Sequence, residues 1–137
     1  MTLKSISRDK LSKLVSAALD ARNRAYAPYS NFRVGAALLT SSGDVIIGCN
    51  VENASYGATI CAERNAIFSA IAAGHTRFEA LCVAGDTGEA VVPCGICRQV
   101  MTEFNDGLVV ICSNKEGKIK RYCVEELLPY KFELKNG

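Results

Sequence analysis

The sequence predicts an α/β domain built on one mixed sheet with helices on its faces. Two observations carry this. Segments with apolar residues at helical spacing alternate with short β-branched runs, and turn residues separate them without a repeat, low-complexity tract or linker. The length, 137 residues, is that of one domain, and 49% apolar against 22% charged residues is an ordinary globular balance. One domain over residues 1–137 is therefore expected, and a largely disordered chain is excluded.

Leu11, Leu14, Val15, Ala18 and Leu19 fall at i, i+3, i+4, i+7 and i+8, with Asp9 in the first turn and Pro28 past the end. This predicts a first helix over about residues 8–25. Phe32 to Thr40 is apolar and extended in character, Ser41-Ser42-Gly43-Asp44 is turn chemistry, and Val45 to Val51 is a second β-branched run, so a hairpin is expected. After a loop around Gly57, Ala62, Ala66, Ile67, Ala70 and Ile71 mark a second helix closed by Gly74. Phe78 to Ala84 then reads as a buried strand and completes a β-α-β unit. Asp86 to Pro93 is a loop, Cys94 to about Phe104 a third helix, Leu108 to Cys112 a buried strand, and Asn114 to Lys118 a turn. Ile119 to Val124 is the final strand, and Glu125 to Leu128 a short helical turn stopped by Pro129.

Sixteen Lys and Arg against fourteen Asp and Glu leave a net charge of +2, and 7% of the residues are aromatic. Such a surface attracts a polyanion or an acidic bilayer weakly and offers little for stacking single-stranded bases. A small-molecule or protein partner is expected, with no nucleic acid and no membrane. No apolar run approaches the roughly 18 residues of a membrane span, and Met1 to Lys10 lacks the apolar stretch of a secretion signal, so a cytoplasmic location is expected. Seven cysteines, an odd number, then suit reduced thiols or a metal better than a disulfide framework. Asn53-Ala54-Ser55 matches a glycosylation sequon, which in a cytoplasmic protein is coincidence. Cys49, Cys82, Cys112 and Cys123 lie in apolar, strand-like runs and read as small buried hydrophobes. His75, the single histidine, reads as a surface residue and leaves little for a histidine-based nucleophile system.

The chemistry concentrates in Cys61-Ala62-Glu63 and Pro93-Cys94-Gly95-Ile96-Cys97, each at a predicted helix start. Residues 94 and 97 are one helical turn apart, so both sulfurs can face one point, and the β-α-β unit can bring the third alongside. Three thiolates on one Zn²⁺ leave the fourth tetrahedral position to water, the arrangement of a catalytic rather than a structural zinc. Helix N-termini favour the thiolate form. Arg64, one turn after Cys61, is placed to offset the surplus negative charge, and Glu63 is the candidate proton shuttle. Residues 61 and 63 differ by roughly 200° on a regular helix, so Cys61 must stand at an irregular first turn. A redox pair or half of a four-cysteine structural site is the alternative for Cys-x-x-Cys, and the upstream Cys-x-Glu argues against both.

The two motifs together form the three-cysteine version of the zinc nucleobase deaminase signature. More closely, the chain resembles the small homotetrameric cytidine deaminases of pyrimidine salvage. The resemblance runs from about Ala25 to Pro129 through Tyr26-Ala27-Pro28-Tyr29-Ser30, Val34-Gly35-Ala36-Ala37, Asn50-Val51-Glu52-Asn53-Ala54-Ser55-Tyr56, Cys61-Ala62-Glu63-Arg64, Pro93-Cys94-Gly95-Ile96-Cys97-Arg98-Gln99 and Glu126-Leu127-Leu128-Pro129. It implies a three-layer α/β/α fold on a mixed five-stranded sheet, and a homotetramer with active sites shared between subunits. It further implies one Zn²⁺ per chain on Cys61, Cys94 and Cys97, Glu63 as proton shuttle, and Arg64 offsetting thiolate charge. Asn50 and Glu52 match positions that hold the ribose 3′-hydroxyl, and Phe32 the aromatic that stacks on the pyrimidine. Ala62 falls among the substrate contacts, and Tyr56 and Phe132 match pocket-wall residues shared between subunits. The implied reaction is hydrolytic. Zinc-bound hydroxide attacks C4 of cytosine while Glu63 protonates N3 and then the departing amine, so cytidine or deoxycytidine becomes uridine or deoxyuridine with release of ammonia. A carboxylate at Glu52 repels a nearby 5′-phosphate, which favours free nucleosides. The rival readings are a polynucleotide deaminase, a deaminase of a cytosine-containing antibiotic, and a zinc-stabilised module without catalysis. A purely structural zinc site has no use for Glu63 and would take a fourth protein ligand.

Overall fold

The first helix, α1 (Arg8–Ala21), opens where Ser7, in extended backbone, accepts the Lys10 N–H on its hydroxyl at 3.2 Å. The structure, a computed structural model, describes residues 3–135. Both ends of the expected domain over residues 1–137 lie outside the described residues. Strands β1 (Val34–Thr40) and β2 (Val45–Cys49) form the hairpin, followed by α2 (Ala62–Ala72), β3 (Phe78–Gly85), α3 (Gly95–Glu103), β4 (Val109–Ser113), β5 (Ile119–Cys123) and the single turn α4 (Val124–Leu127).

The strands lie in the order β2-β1-β3-β4-β5. β3 and β4 run parallel, Ala80 opposite Val109 and Ala84 opposite Ser113, while the other neighbours are antiparallel, so the five-stranded sheet is mixed. Every residue of β1 and β4 is buried, as expected of strands covered on both faces. Alternate residues serve opposite layers. Ala37, Leu39, Ala80, Cys82, Ala84, Val109 and Ile111 pack with Leu14 and Ala18 of α1. Ala36, Leu38, Leu81, Val83, Val110 and Cys112 pack with Ala62, Ala66 and Ile67 of α2, Cys97 and Met101 of α3, and Val124 and Leu127 of α4. The result is three layers, α/β/α.

Two glycines let helices rest directly on the sheet. A Cβ at Gly35 would lie 2.1 Å from the Ala18 carbonyl oxygen, and one at Gly48 would lie 2.5 Å from the Ala66 nitrogen and 2.6 Å from the Ala62 carbonyl oxygen. The second approach sets the height of the first turn of α2 above β2.

Several boundaries differ from expectation for visible reasons. α1 ends at Ala21 and passes into a 3-10 turn, Arg22–Arg24. The hairpin's first strand begins at Val34 rather than Phe32, because the Asn50 side chain takes the Phe32 carbonyl and the Val34 N–H that a strand partner would have used. β2 stops at Cys49, and Val51 makes only isolated bridges to Tyr26 and Ile60. α4 begins one residue early. Cys49, expected buried, is half-buried at the end of the edge strand β2. His75, expected at the surface, is also half-buried. Its N–H bonds to the Ala70 carbonyl, which folds it back over the hairpin turn with Nε2 at 3.5 Å from Asp44. Among the described residues, no helix is long and apolar enough to cross a membrane.

Candidate active site

β2 and β3 point the same way because each is antiparallel to β1, which lies between them. The helices that follow them therefore start at the same end of the sheet. Cys61 is the N-cap of α2 (φ −75°, ψ 155°) and Cys94 the N-cap of α3 (φ −68°, ψ 168°), both with extended backbone. Cys97 is the third residue of α3 and is buried. At an N-cap the side chain is free of the 100° spacing, and this resolves the conflict between Cys61 and Glu63.

The Sγ atoms of Cys61 and Cys94 are 3.6 Å apart, and the three sulfurs lie within 4.8 Å of one another. None of the three is in a disulfide. Four ligands held tetrahedrally at about 2.3 Å put sulfurs about 3.8 Å apart, so this triangle has the size of a zinc site. Among the described residues, no histidine or carboxylate joins the group.

The electrostatics fit a dication as well. The Cys61 thiol is drawn down to about 5, first by the hydrogen bond from the Cys97 thiol, with Arg64 and Cys94 adding and burial opposing. That same bond, with burial, drives the Cys97 thiol strongly upward. One thiolate is stable here unaided; three need counter-charge. Arg64 Nη2 lies 3.5 Å from Cys61 Sγ and supplies one positive charge, while its Nε is buried without a hydrogen-bond partner. A divalent cation would supply the rest.

Glu63, the second residue of α2, is only 3% exposed. Burial pushes its carboxyl up to about 7, the Cys61 negative charge adding to the rise while a backbone hydrogen bond and Arg64 oppose it. A carboxyl poised near neutrality can both take and release a proton.

Asn50 and Glu52 first shape the backbone beside this centre. Asn50 Oδ1 accepts the Val34 N–H and Nδ2 donates to the Phe32 carbonyl, each at 2.8 Å. Glu52 Oε1 accepts the N–H groups of Tyr29 and Ser30 at 2.9 and 3.1 Å, and Oε2 accepts the Ser30 hydroxyl. The Ser30 hydroxyl is the main reason the Glu52 carboxyl sits below the usual carboxylate range. Each side chain keeps hydrogen-bonding capacity, a second N–H on Asn50 and a lone pair on Glu52 Oε2. Phe32 is 38% exposed, and its ring edge stands over Gly85, where a Cβ would lie 3.3 Å from Cζ. Glu52 and Tyr56 share the lining of an open cleft of about 390 Å³ with Tyr29, Ser30, Asn53 and Thr59. Ala62, the first residue of α2, is fully buried. Tyr56 is 81% and Phe132 67% exposed, and Phe132 makes hydrogen bonds with Gln99 of α3.

Three supports were not foreseen. Asp86 holds Arg22 and Arg33 at 3.3 and 3.2 Å beside Phe32. Arg98 donates to the Pro93 and Leu127 carbonyls, both at 2.8 Å. Asn114 ties the β4–β5 turn to the Gly88 carbonyl in the loop before Cys94. The partners Leu127, Gly88, Arg22 and Arg33 lie far along the chain from Arg98, Asn114 and Asp86 and leave no local pattern.

The family model described as the cytidine and deoxycytidylate deaminase zinc-binding region matches residues 8–113. A cytidine deaminase of Halalkalibacterium halodurans is 50% identical over 120 residues, covering 87% of this chain and 91% of that one. One from Sporosarcina psychrophila is 47% identical over 123 residues, covering 89% and 90%. The crystal structure of cytidine deaminase from Burkholderia pseudomallei superposes with a TM-score of 0.84 at 49% identity, covering 93% of this chain and all of that one.

Proposed function

Because the chain belongs to the cytidine and deoxycytidylate deaminase family, we infer that it hydrolyses cytidine or deoxycytidine to uridine or deoxyuridine and ammonia. The observation that carries this is the convergence of three sulfurs from two helix starts beside a buried carboxyl near neutrality. Cys61, Cys94 and Cys97 would hold one Zn²⁺, which when bound lowers the pKa of water enough to make a nucleophile at neutral pH.

The chain's own residues do the rest. Glu63 takes the proton shed by the attacking water and delivers it to N3 of the ring, then moves the remaining proton from the new C4 hydroxyl to the amine, so that the C–N bond breaks, ammonia leaves and C4 becomes a carbonyl. Arg64 offsets thiolate charge. Phe32 stacks on the base, and Asn50 and Glu52 use their remaining capacity on the ribose 3′-hydroxyl. Ala62 contributes its backbone. The lowered Glu52 carboxyl stays ionised and disfavours a 5′-phosphate, so free nucleosides are preferred over nucleotides.

In this reading, residues 1–137 act as one deaminase domain in the cytoplasm, where thiols stay reduced. Four copies assemble, with Tyr56 and Phe132 completing pockets across subunit boundaries. Exposed Tyr56, Phe68, Ile96 and Phe132 support this, since a monomer gains nothing from large apolar side chains in water. Light scattering would give the mass of four chains; a fully active monomer would contradict it.

The decisive variant is Glu63→Ala. It should retain about one zinc per chain and lose ammonia release and the absorbance change of cytosine. Turnover at the parent rate would refute the assignment.

A further inference from the structure

α3 carries Cys97 near its start, and two residues on it carries Gln99, whose side-chain amide meets the backbone of Phe132 with both of its halves. Nε2 donates to the Phe132 carbonyl at 2.9 Å, and the Phe132 N–H donates to Oε1 at 3.1 Å. The amide thereby does for Phe132 what a neighbouring strand does, pairing one acceptor and one donor of a single residue. Its orientation is fixed from the other side as well. Nε2 also reaches the Thr102 hydroxyl at 3.4 Å, and that hydroxyl donates to the Gln99 carbonyl at 2.6 Å. The segment so held has no regular secondary structure from residue 128 to 135, and Phe132 and Leu134 leave most of their apolar surface in water. Burial of its own side chains therefore does little to place it. Upstream, Arg98 grips the Leu127 carbonyl, so consecutive residues of α3 hold this stretch at its start and again at Phe132.

We propose that Gln99 is a positioning residue that sets Phe132 relative to the metal-binding end of α3 and so fixes a wall of the nucleoside pocket. This rests on the reading that Phe132 lines that pocket, in its own subunit or a neighbour's. A carboxylate or hydroxyl would not serve, because the clasp needs a donor and an acceptor on one planar group.

The test uses the zinc-loaded full-length enzyme in four forms: parent, Gln99→Met, Phe132→Ala and the double variant. Methionine keeps the length and apolar stem and removes both bonds. Gln99→Met should raise KM for cytidine about five- to tenfold, the scale of one or two lost hydrogen bonds, while kcat stays within about twofold. Zinc content should not change, and hydrogen exchange of the Phe132 amide should quicken. Phe132→Ala should raise KM by a similar factor, and the double variant should be no worse than Phe132→Ala alone. Parental KM and exchange in Gln99→Met, alongside a raised KM in Phe132→Ala, would overturn the proposal while sparing the pocket reading. Loss of zinc and kcat together in Gln99→Met would overturn it as well, by showing a general disturbance of α3. An unchanged KM in Phe132→Ala would remove the pocket reading and the proposal with it.

Discussion

Cys61 and Cys94 both stand at helix N-caps with extended backbone, where the unpaired N–H groups of the first turn stabilise negative charge. Arg64 adds a full positive charge at 3.5 Å from Cys61 Sγ. Arg64→Ala should therefore weaken zinc retention about 10- to 100-fold in chelator competition, the usual effect of removing a group that supports a metal ligand. An unchanged affinity would mean that the guanidinium serves packing alone. Glu126 links stability to pH. Its carboxyl is held below the usual range chiefly by the Cys123 N–H, with the Cys123 thiol adding. A carboxyl with a depressed folded pKa stabilises the fold above its unfolded value of about 4.3, and that stabilisation fades as pH falls through the folded value. The Tm difference between the parent and Glu126→Gln should be full at about pH 6 and shrink steadily as pH falls below about 4; a difference that ignores pH would contradict this. The sulfur set, Glu63 and the need for an irregular turn at Cys61 were legible from spacing and helix geometry alone. The backbone roles of Asn50 and Glu52 were not, because a side chain's hydrogen bonds to residues some twenty positions away follow no sequence period.

The starts of α1 and α2 each depend on one residue outside the helix, Ser7 and Gly48. Ser7→Ala removes the bond to the Lys10 N–H and should destabilise the protein by about 1 kcal/mol in denaturant unfolding, with activity retained. Gly48→Ala places a methyl against the backbone of Ala62 and Ala66, which cannot give way as a side chain could. It should destabilise the fold by about 1–3 kcal/mol and also weaken zinc binding, because the turn it displaces follows Cys61 and carries Glu63. Loss of stability with parental zinc affinity would show that α2 moves as a whole without disturbing the centre. Helices and strands were readable because apolar periodicity follows which face is buried. Their ends were less so. Phe32 leaves the strand since Asn50 outcompetes a ladder partner, and the close approaches at Gly35 and Gly48 depend on helices packed from elsewhere in the chain.

For the whole molecule, function follows from strand order. Placing β1 between β2 and β3 makes those two strands codirectional, so α2 and α3 begin side by side and their sulfurs meet. The alternation of elements implied the layers, but not which edge of the hairpin β3 would join, since both strands offer it backbone and apolar surface alike. Nor does apolar periodicity mark which large side chains, Tyr56 and Phe132 among them, stay exposed. In that strand arrangement Cys61, Cys94 and Cys97 would hold one metal and leave it a further position for water. X-ray absorption at the zinc edge should show about three sulfur neighbours at about 2.3 Å with one light atom; four sulfurs, or a protein that binds no zinc, would be incompatible with this arrangement.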